Sequence, residues 1–376
     1  MAPLLASKTK VLERCRVAPA PGSAAPATLP LTFFDYIFLR FHPVERVFFY
    51  ELPGCSRSRF LRDHLPHLKL SLPLALRVFR PLAGTLFLLP HPAHPELRCH
   101  DDDAVAFTVA ESGDDFADLS GDHPRDVARF HPLVPTLPPG GACRRPVLAL
   151  QVTVFPDAGV ALGVAVQHAV ADGSTSAHFL KTWAAMCRLG RKGVAVVGEP
   201  PSYDRGVVVG DGRLGRIFLD DLEALKEGRG LEGWDLTGRT DVVRATFVVT
   251  REQIQRLGEA VYRKTPWEYC SPYALGSGLT WACLVKARGG DDVGKSNSTE
   301  YFGFVTGCRA RLDPPAPATY FGNCLGICRV EVRRSELVGE GGVVAASAAI
   351  WKVIKGLEEG AMRGAEGWIR DIYWLA

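Results

Sequence analysis

The side chain best suited to chemistry is His168, in the run His168-Ala-Val-Ala-Asp172-Gly173. Imidazole titrates near neutrality, so one histidine can take a proton from a hydroxyl and hand one to a leaving group. Attack of an alcohol on a thioester needs little more: the alcohol proton must leave as the tetrahedral oxyanion forms, and a thiolate departs with little help. Such a reaction needs no covalent nucleophile, and the sequence has no Gly-x-Ser-x-Gly elbow to supply one. Asp172 lies four positions on, across a turn ending at Gly173, which suits it to fixing the loop better than to orienting the ring. A buried carboxylate there needs an arginine fork or backbone donors. Taken alone, His-x-x-x-Asp is a short pattern that chance supplies often, and a core histidine beside a helix-capping aspartate is the plainer reading.

Other patterns fail on context. Gly289-Gly-Asp-Asp-Val-Gly-Lys-Ser296 has the spacing of a phosphate-binding loop, but it follows a predicted helix and carries Asp291 and Asp292 where phosphates would sit. Gly210-Asp-Gly-Arg-Leu-Gly215 fits Gly-x-Gly-x-x-Gly without a βαβ unit around it and reads as a turn. Cys324 and Cys328 are too far apart for a Cys-x-x-Cys metal or redox site, so no metal is expected.

The elements that must position His168 follow from periodicity. Gly159 to Val166 is an apolar run that reads as a buried strand delivering the histidine to its end, and Ser174 to Cys187 reads as a helix with Asp172 or Ser174 as N-cap. Upstream, a Pro/Ala-rich arm spans Ala18 to Pro30, Val44 to Tyr50 has the enrichment of a strand, and Arg59 to Phe79 has helical spacing. Short strands are expected around Gly84 to Leu89, Ala104 to Ala110 and Leu148 to Val154. Between Arg188 and Gly215, Gly, Val and Pro crowd without a period, which predicts a linker over 188–215 between a domain of 1–187 and one of 216–376. Beyond it come helices near Leu219 to Glu227, Arg251 to Tyr262, Ser271 to Lys286 and Val343 to Leu357, and strands at Val242 to Val249, Glu300 to Thr306 and Gly326 to Val332. This irregular alternation predicts an α/β fold with mixed sheets in two layers, not a barrel or a doubly wound sheet.

The composition sets the frame. The chain has 376 residues, long enough for two domains, with 47% apolar and 23% charged residues, the balance of a globular protein. Its 44 basic and 41 acidic residues leave a net charge of +3 without long runs of one sign, so nothing calls for nucleic acid. No stretch is long and apolar enough for a membrane helix, and the first ten residues lack a signal-peptide core, which predicts a cytosolic protein whose ten cysteines are reduced.

Several strings then stand in a telling order: Leu29-Pro-Leu-Thr-Phe-Phe-Asp35, Pro43-Val44, Phe48-Phe-Tyr50, Phe79-Arg-Pro-Leu-Ala-Gly84, His168 to Gly173 with Phe179 and Trp183, Trp281 to Arg288, and Tyr320-Phe-Gly-Asn-Cys324. Over nearly the whole chain this resembles the plant BAHD acyltransferases, and the last string resembles the branch that acylates anthocyanins and phenolic glucosides. The resemblance implies a two-domain fold similar to chloramphenicol acetyltransferase, with a channel between domains that admits acyl-CoA from one face and a glycoside acceptor from the other. It implies a monomer that acts on small molecules, with malonyl-CoA or hydroxycinnamoyl-CoA as cosubstrate and no permanently bound cofactor. By the same resemblance His168 is the base, Asp172 pairs with Arg309, and Ser271, Arg288 and Lys295 belong to the CoA-contacting region. The family's Asp-Phe-Gly-Trp-Gly string does not occur, so the second domain is expected to be incomplete. The alternative function is then a truncated, inactive homologue that binds a small molecule or partner. Phe38 stands where many relatives have Trp, and Pro272-Tyr273 replaces a polar-Phe pair.

Overall fold

The computed structural model describes residues 8–88, 94–141, 143–190, 196–208, 210–225, 241–264, 269–288 and 298–375. The chain divides into two compact units, one of residues 1–246 with 316–324 and one of 247–315 with 325–376.

Along the first unit run β1 (Thr9–Val17), β2 (Thr28–Pro30), α1 (Phe33–Tyr36), β3 (Val44–Glu51), α2 (Leu65–Val78), β4 (Thr85–Phe87), β5 (Glu96–Arg98), β6 (Val105–Ser112) and β7 (Arg125–Asp126). They are followed by β8 (Arg144–Pro146), β9 (Leu148–Phe155), β10 (Gly159–Val166), α3 (Gly173–Leu189), α4 (Asp211–Ala224) and β11 (Val243–Arg244). The main sheet has the order β1-β6-β9-β10-β3, parallel between β6 and β9 and antiparallel elsewhere, and a smaller sheet has the order β2-β5-β4-β8. All eight residues of β9 are buried because it lies in the middle of a sheet covered on both faces. The expected strand over Gly159 to Val166 is there with the same bounds.

Helix α3 buries Phe179, Trp183 and Met186, and the Trp183 indole donates to the Leu68 carbonyl and Ser71 hydroxyl of α2 at 3.3 and 3.1 Å. Side chains of this size each stabilise by about 1.5–3 kcal/mol when fully buried, which holds α3 and the His168 turn before it against the sheet layer. The helix expected over Arg59 to Phe79 begins at Arg57, widens into a π-type segment over Phe60–His64 and continues as α2.

Two expectations are corrected, and one strand went unforeseen. Residues 188–215 are not a crossing between domains: Ser202 forms a β-bridge with Tyr320, and the Tyr203 hydroxyl donates to the Val78 carbonyl at 2.6 Å. The first unit also keeps α4, whose Phe218 meets Phe33 edge-on at 5.6 Å, and continues to Thr246. Within this stretch Ser202, Tyr203 and Arg205 find partners far along the chain, which no local period reveals. Next, the strand expected over Val242 to Val249 shrinks to β11, paired with β7, while Phe247 and Val248 are exposed. Finally, β1 was not expected. Lys10, Glu13, Arg14 and Arg16 hide its alternation, because an edge strand needs only one covered face.

The second unit contains α5 (Arg251–Lys264), α6 (Pro272–Ala287), β12 (Thr299–Gly307), β13 (Leu325–Arg333), α7 (Gly342–Gly356) and α8 (Trp368–Leu375). Strands β12 and β13 pair antiparallel, with Gly303 opposite Arg329. Trp281 and Val285 of α6, Val330 and Val332 of β13, and Ala346 and Ile350 of α7 form its core. Helices α6 and α7 approach closely at Gly278, where a Cβ would stand 2.3 Å from the Ser347 hydroxyl. Each unit therefore combines helices with sheet, as an α/β fold requires.

Candidate active site

His168 lies just beyond β10, in a turn that starts where the Gln167 amide donates to the Val147 carbonyl at 2.9 Å. Its ring is stacked on Phe38, with centroids 3.8 Å apart and planes within 5°, and Phe41 meets it edge-on at 6.0 Å. The residue is half-buried and its Nδ1 is wholly buried. Burial pushes the imidazole below its ordinary 6.5, the nearby Arg46 charge adds to that, and Asp172 and Asn323 oppose it. The ring is therefore neutral at pH 7, the state a proton acceptor needs.

Asp172 does not orient that ring. It is the N-cap of α3, accepting from the Thr175 amide at 2.9 Å with one oxygen and from the Cys324 amide at 3.3 Å with the other. The choice between Asp172 and Ser174 as cap is thereby resolved in favour of Asp172. A buried carboxylate with two backbone donors ties the helix start to residues 320–324, so its role is to hold the turn.

A second buried carboxylate, Asp35, was not singled out from the sequence. One of its oxygens takes the Thr32 amide at 2.9 Å, with the Thr32 hydroxyl at 3.2 Å and Arg205 Nη2 at 3.8 Å. The other takes the backbone amide of Asn323 at 2.9 Å and its side-chain Nδ2 at 3.0 Å. That same Nδ2 donates to the His168 carbonyl at 2.8 Å. Arg205 also donates to the Tyr320 hydroxyl at 2.5 Å and to the carbonyls of Phe321 and Pro30 at 2.6 and 3.0 Å. Gly322 adopts a φ of +127°, and a Cβ there would lie 2.6 Å from the Arg205 guanidinium, so only glycine fits.

Three strings far apart in sequence thus meet in one hydrogen-bonded cluster at His168. A charge in the apolar run Leu31-Thr-Phe-Phe-Asp-Tyr-Ile-Phe-Leu39 was a readable signal, because a buried carboxylate demands partners. Arg205 gave none, lying in the stretch read as linker.

The other expected site residues are on the second unit. Ser271 caps α6, its hydroxyl accepting from the Ala274 amide at 3.2 Å, and Arg288 is exposed at the far end of that same 16-residue helix. At 1.5 Å per residue they stand roughly 26 Å apart, so they do not form one phosphate cradle. Arg309 opens the short turn Arg309–Arg311 after β12. Lys295 and the phosphate-loop-like run 289–296 lie outside the described residues. Among the described residues, no cluster of His, Cys, Asp or Glu could hold a metal, no helix is long and apolar enough to cross a membrane, and no disulfide joins any of the ten cysteines.

Known proteins resemble the chain over most of its length. The profile of the Transferase family matches residues 8–357. The chain is 37% identical over 376 residues to malonyl-coenzyme A:anthocyanin 3-O-glucoside-6''-O-malonyltransferase of Dahlia pinnata, covering 95% of this chain and 80% of that one. It is 38% identical over 357 residues to phenolic glucoside malonyltransferase 2 of Arabidopsis thaliana, covering 92% and 78%. Among solved structures, vinorine synthase superposes with a TM-score of 0.63 at 19% identity, over 92% of this chain and 76% of that one, which shows a common fold. The profile match and these identities establish that the chain belongs to the Transferase family, that of the BAHD acyltransferases.

Proposed function

We propose that the protein transfers a malonyl or hydroxycinnamoyl group from CoA to a hydroxyl of a phenolic or flavonoid glycoside, such as an anthocyanin glucoside, with His168 as general base. The observation that carries this is a half-buried imidazole, neutral at pH 7, at the end of β10 with its Nδ1 turned inward. Nε2 is then the nitrogen left to meet an acceptor hydroxyl. As Nε2 takes the hydroxyl proton, the oxygen bonds to the thioester carbonyl carbon. The tetrahedral intermediate collapses by breaking the carbon–sulfur bond, and the imidazolium returns its proton to the CoA sulfur. No acyl-enzyme forms. The similarity to the Dahlia and Arabidopsis enzymes supports a malonyl donor and a glucoside acceptor.

Pairing of Asp172 with Arg309 belongs to the same proposal, as do CoA contacts from Ser271, Arg288 and Lys295. Arg309→Met should loosen the His168 turn, and Arg288→Ala and Lys295→Ala should raise KM for CoA donors while sparing kcat. A cytosolic monomer completes the proposal, which size-exclusion chromatography and imaging of the tagged chain test.

The deciding experiment incubates the purified chain with malonyl-CoA or coumaroyl-CoA and an anthocyanin or simple phenolic glucoside, following thiol release and product mass. Release that requires both substrates and yields a glucoside ester is expected. Binding seen by tryptophan fluorescence without thiol release from either donor would favour the alternative, an inactive binding protein.

A further inference from the structure

The side-chain amide of Asn323 has both its protons committed, one to Asp35 Oδ1 at 3.0 Å and one to the His168 carbonyl at 2.8 Å. Both acceptors lack protons of their own, so the amide cannot be turned over, and its Oδ1 can only accept. That oxygen is buried, and no described residue donates to it with normal geometry. The same holds for Nδ1 of the His168 ring, a nitrogen that can donate. Two buried atoms of complementary kind, on residues already joined by a hydrogen bond, each lack what the other supplies.

We propose that Asn323 is the positioning residue of the base: its Oδ1 accepts a hydrogen bond from Nδ1–H of His168, which fixes the tautomer that leaves Nε2 bare. This rests on His168 being the base. Rotation of the ring within the plane of its stack on Phe38, with planes 5° apart, would bring the two atoms into contact without breaking the stack. In the opposite tautomer the lone pair would face the protein interior and the proton would face the substrate, so an acceptor hydroxyl could not be deprotonated. Asp35 holds Asn323 through its backbone and side-chain nitrogens, and Thr32 and Arg205 hold Asp35. Orientation of the ring thus runs from Asp35, 133 residues away in sequence, while Asp172 caps α3 and takes the Cys324 amide. A rival partner for Nδ1 is the carbonyl of His168 itself, which also favours the protonated ring.

The test uses the full chain labelled with 15N-histidine and a long-range proton–nitrogen correlation spectrum, with His168→Gln to assign the signals. Above the ring's pKa, the expected state of His168 is protonated Nδ1 and bare Nε2. Asn323→Ala should move it toward the Nε2-protonated form and lower kcat by about 10- to 100-fold with KM little changed, the range seen when outer partners that orient a metal-bound imidazole are removed. A wild-type ring protonated on Nε2 would overturn the proposal, and that spectrum decides even where the variant does not fold. An unchanged tautomer in Asn323→Ala would also overturn it, assigning the role to the histidine's own carbonyl. Turnover surviving in His168→Gln would instead overturn the general-base reading, whatever the tautomer, so the two failures are distinguishable.

Discussion

The turn around His168 and the two ends of α6 are both candidate contacts with substrate, and they are built in opposite ways. At His168, Asp35, Asn323 and Asp172 are all fully buried, and donors from three distant chain segments converge on them. At α6, Ser271 uses its hydroxyl on its own helix and Arg288 is exposed. A proton transfer tolerates little displacement, so its base is held by interactions that cost stability when broken; a contact with a charged, flexible donor tolerates more and can stay exposed. Changes at the first region should therefore act on kcat and folding, and changes at the second on KM.

The largest expected effect is at the base. His168→Ala should lower kcat for thiol release by about 10³-fold, within the range for loss of a general base, with the circular dichroism spectrum unchanged. Next is Gly322→Ala, which forces a side chain into a left-handed φ and against the Arg205 guanidinium. It should cost about 1–3 kcal/mol, read as a lower urea midpoint, with activity falling alongside. An unchanged midpoint would mean that the 320–324 segment is not rigidly held and would weaken the contrast with α6.

The smallest effect is at α6. Ser271→Ala removes an N-cap and should cost about 1 kcal/mol of stability with little change in kcat. A large fall in kcat with KM unchanged would erase the distinction drawn between the two regions.

How much of this was readable in the sequence differs between the same two regions. The strand ending near His168, the helix after it and the α6 and α7 helices follow from local periodicity, and the structure has them within a few residues of where they were expected. The role of Asp172 as a cap was also legible, because capping is local. What periodicity could not show is pairing at long range. Arg205 meets Asp35 across 170 positions, and nothing near either residue specifies the other. The same blindness produced the linker over 188–215, where Tyr203 and Arg205 look unremarkable until their partners are known. Exposed aromatic and aliphatic residues misled in the other direction: Val242 to Val249 alternates like a strand, yet only Val243 and Arg244 find a partner strand.

The central claim is that a neutral His168, with its pKa lowered mainly by burial, accepts the proton. The sign follows from the shift. With a folded pKa below the ordinary 6.5, the neutral ring is the majority form at every pH above 6.5, and the protonated form takes over only at lower pH. The unfolded chain binds that proton more readily, so stability also falls as pH drops from about 6.5 toward the folded pKa. The most direct measurement is kcat/KM for thiol release against pH from about 5 to 8, since its limb reports the free enzyme's essential base. A single limb rising below 6.5 to a plateau at neutrality, absent from the residual rate of His168→Ala, is the expected result. Activity that grows as the pH falls, or a profile shared by wild type and variant, would contradict the account.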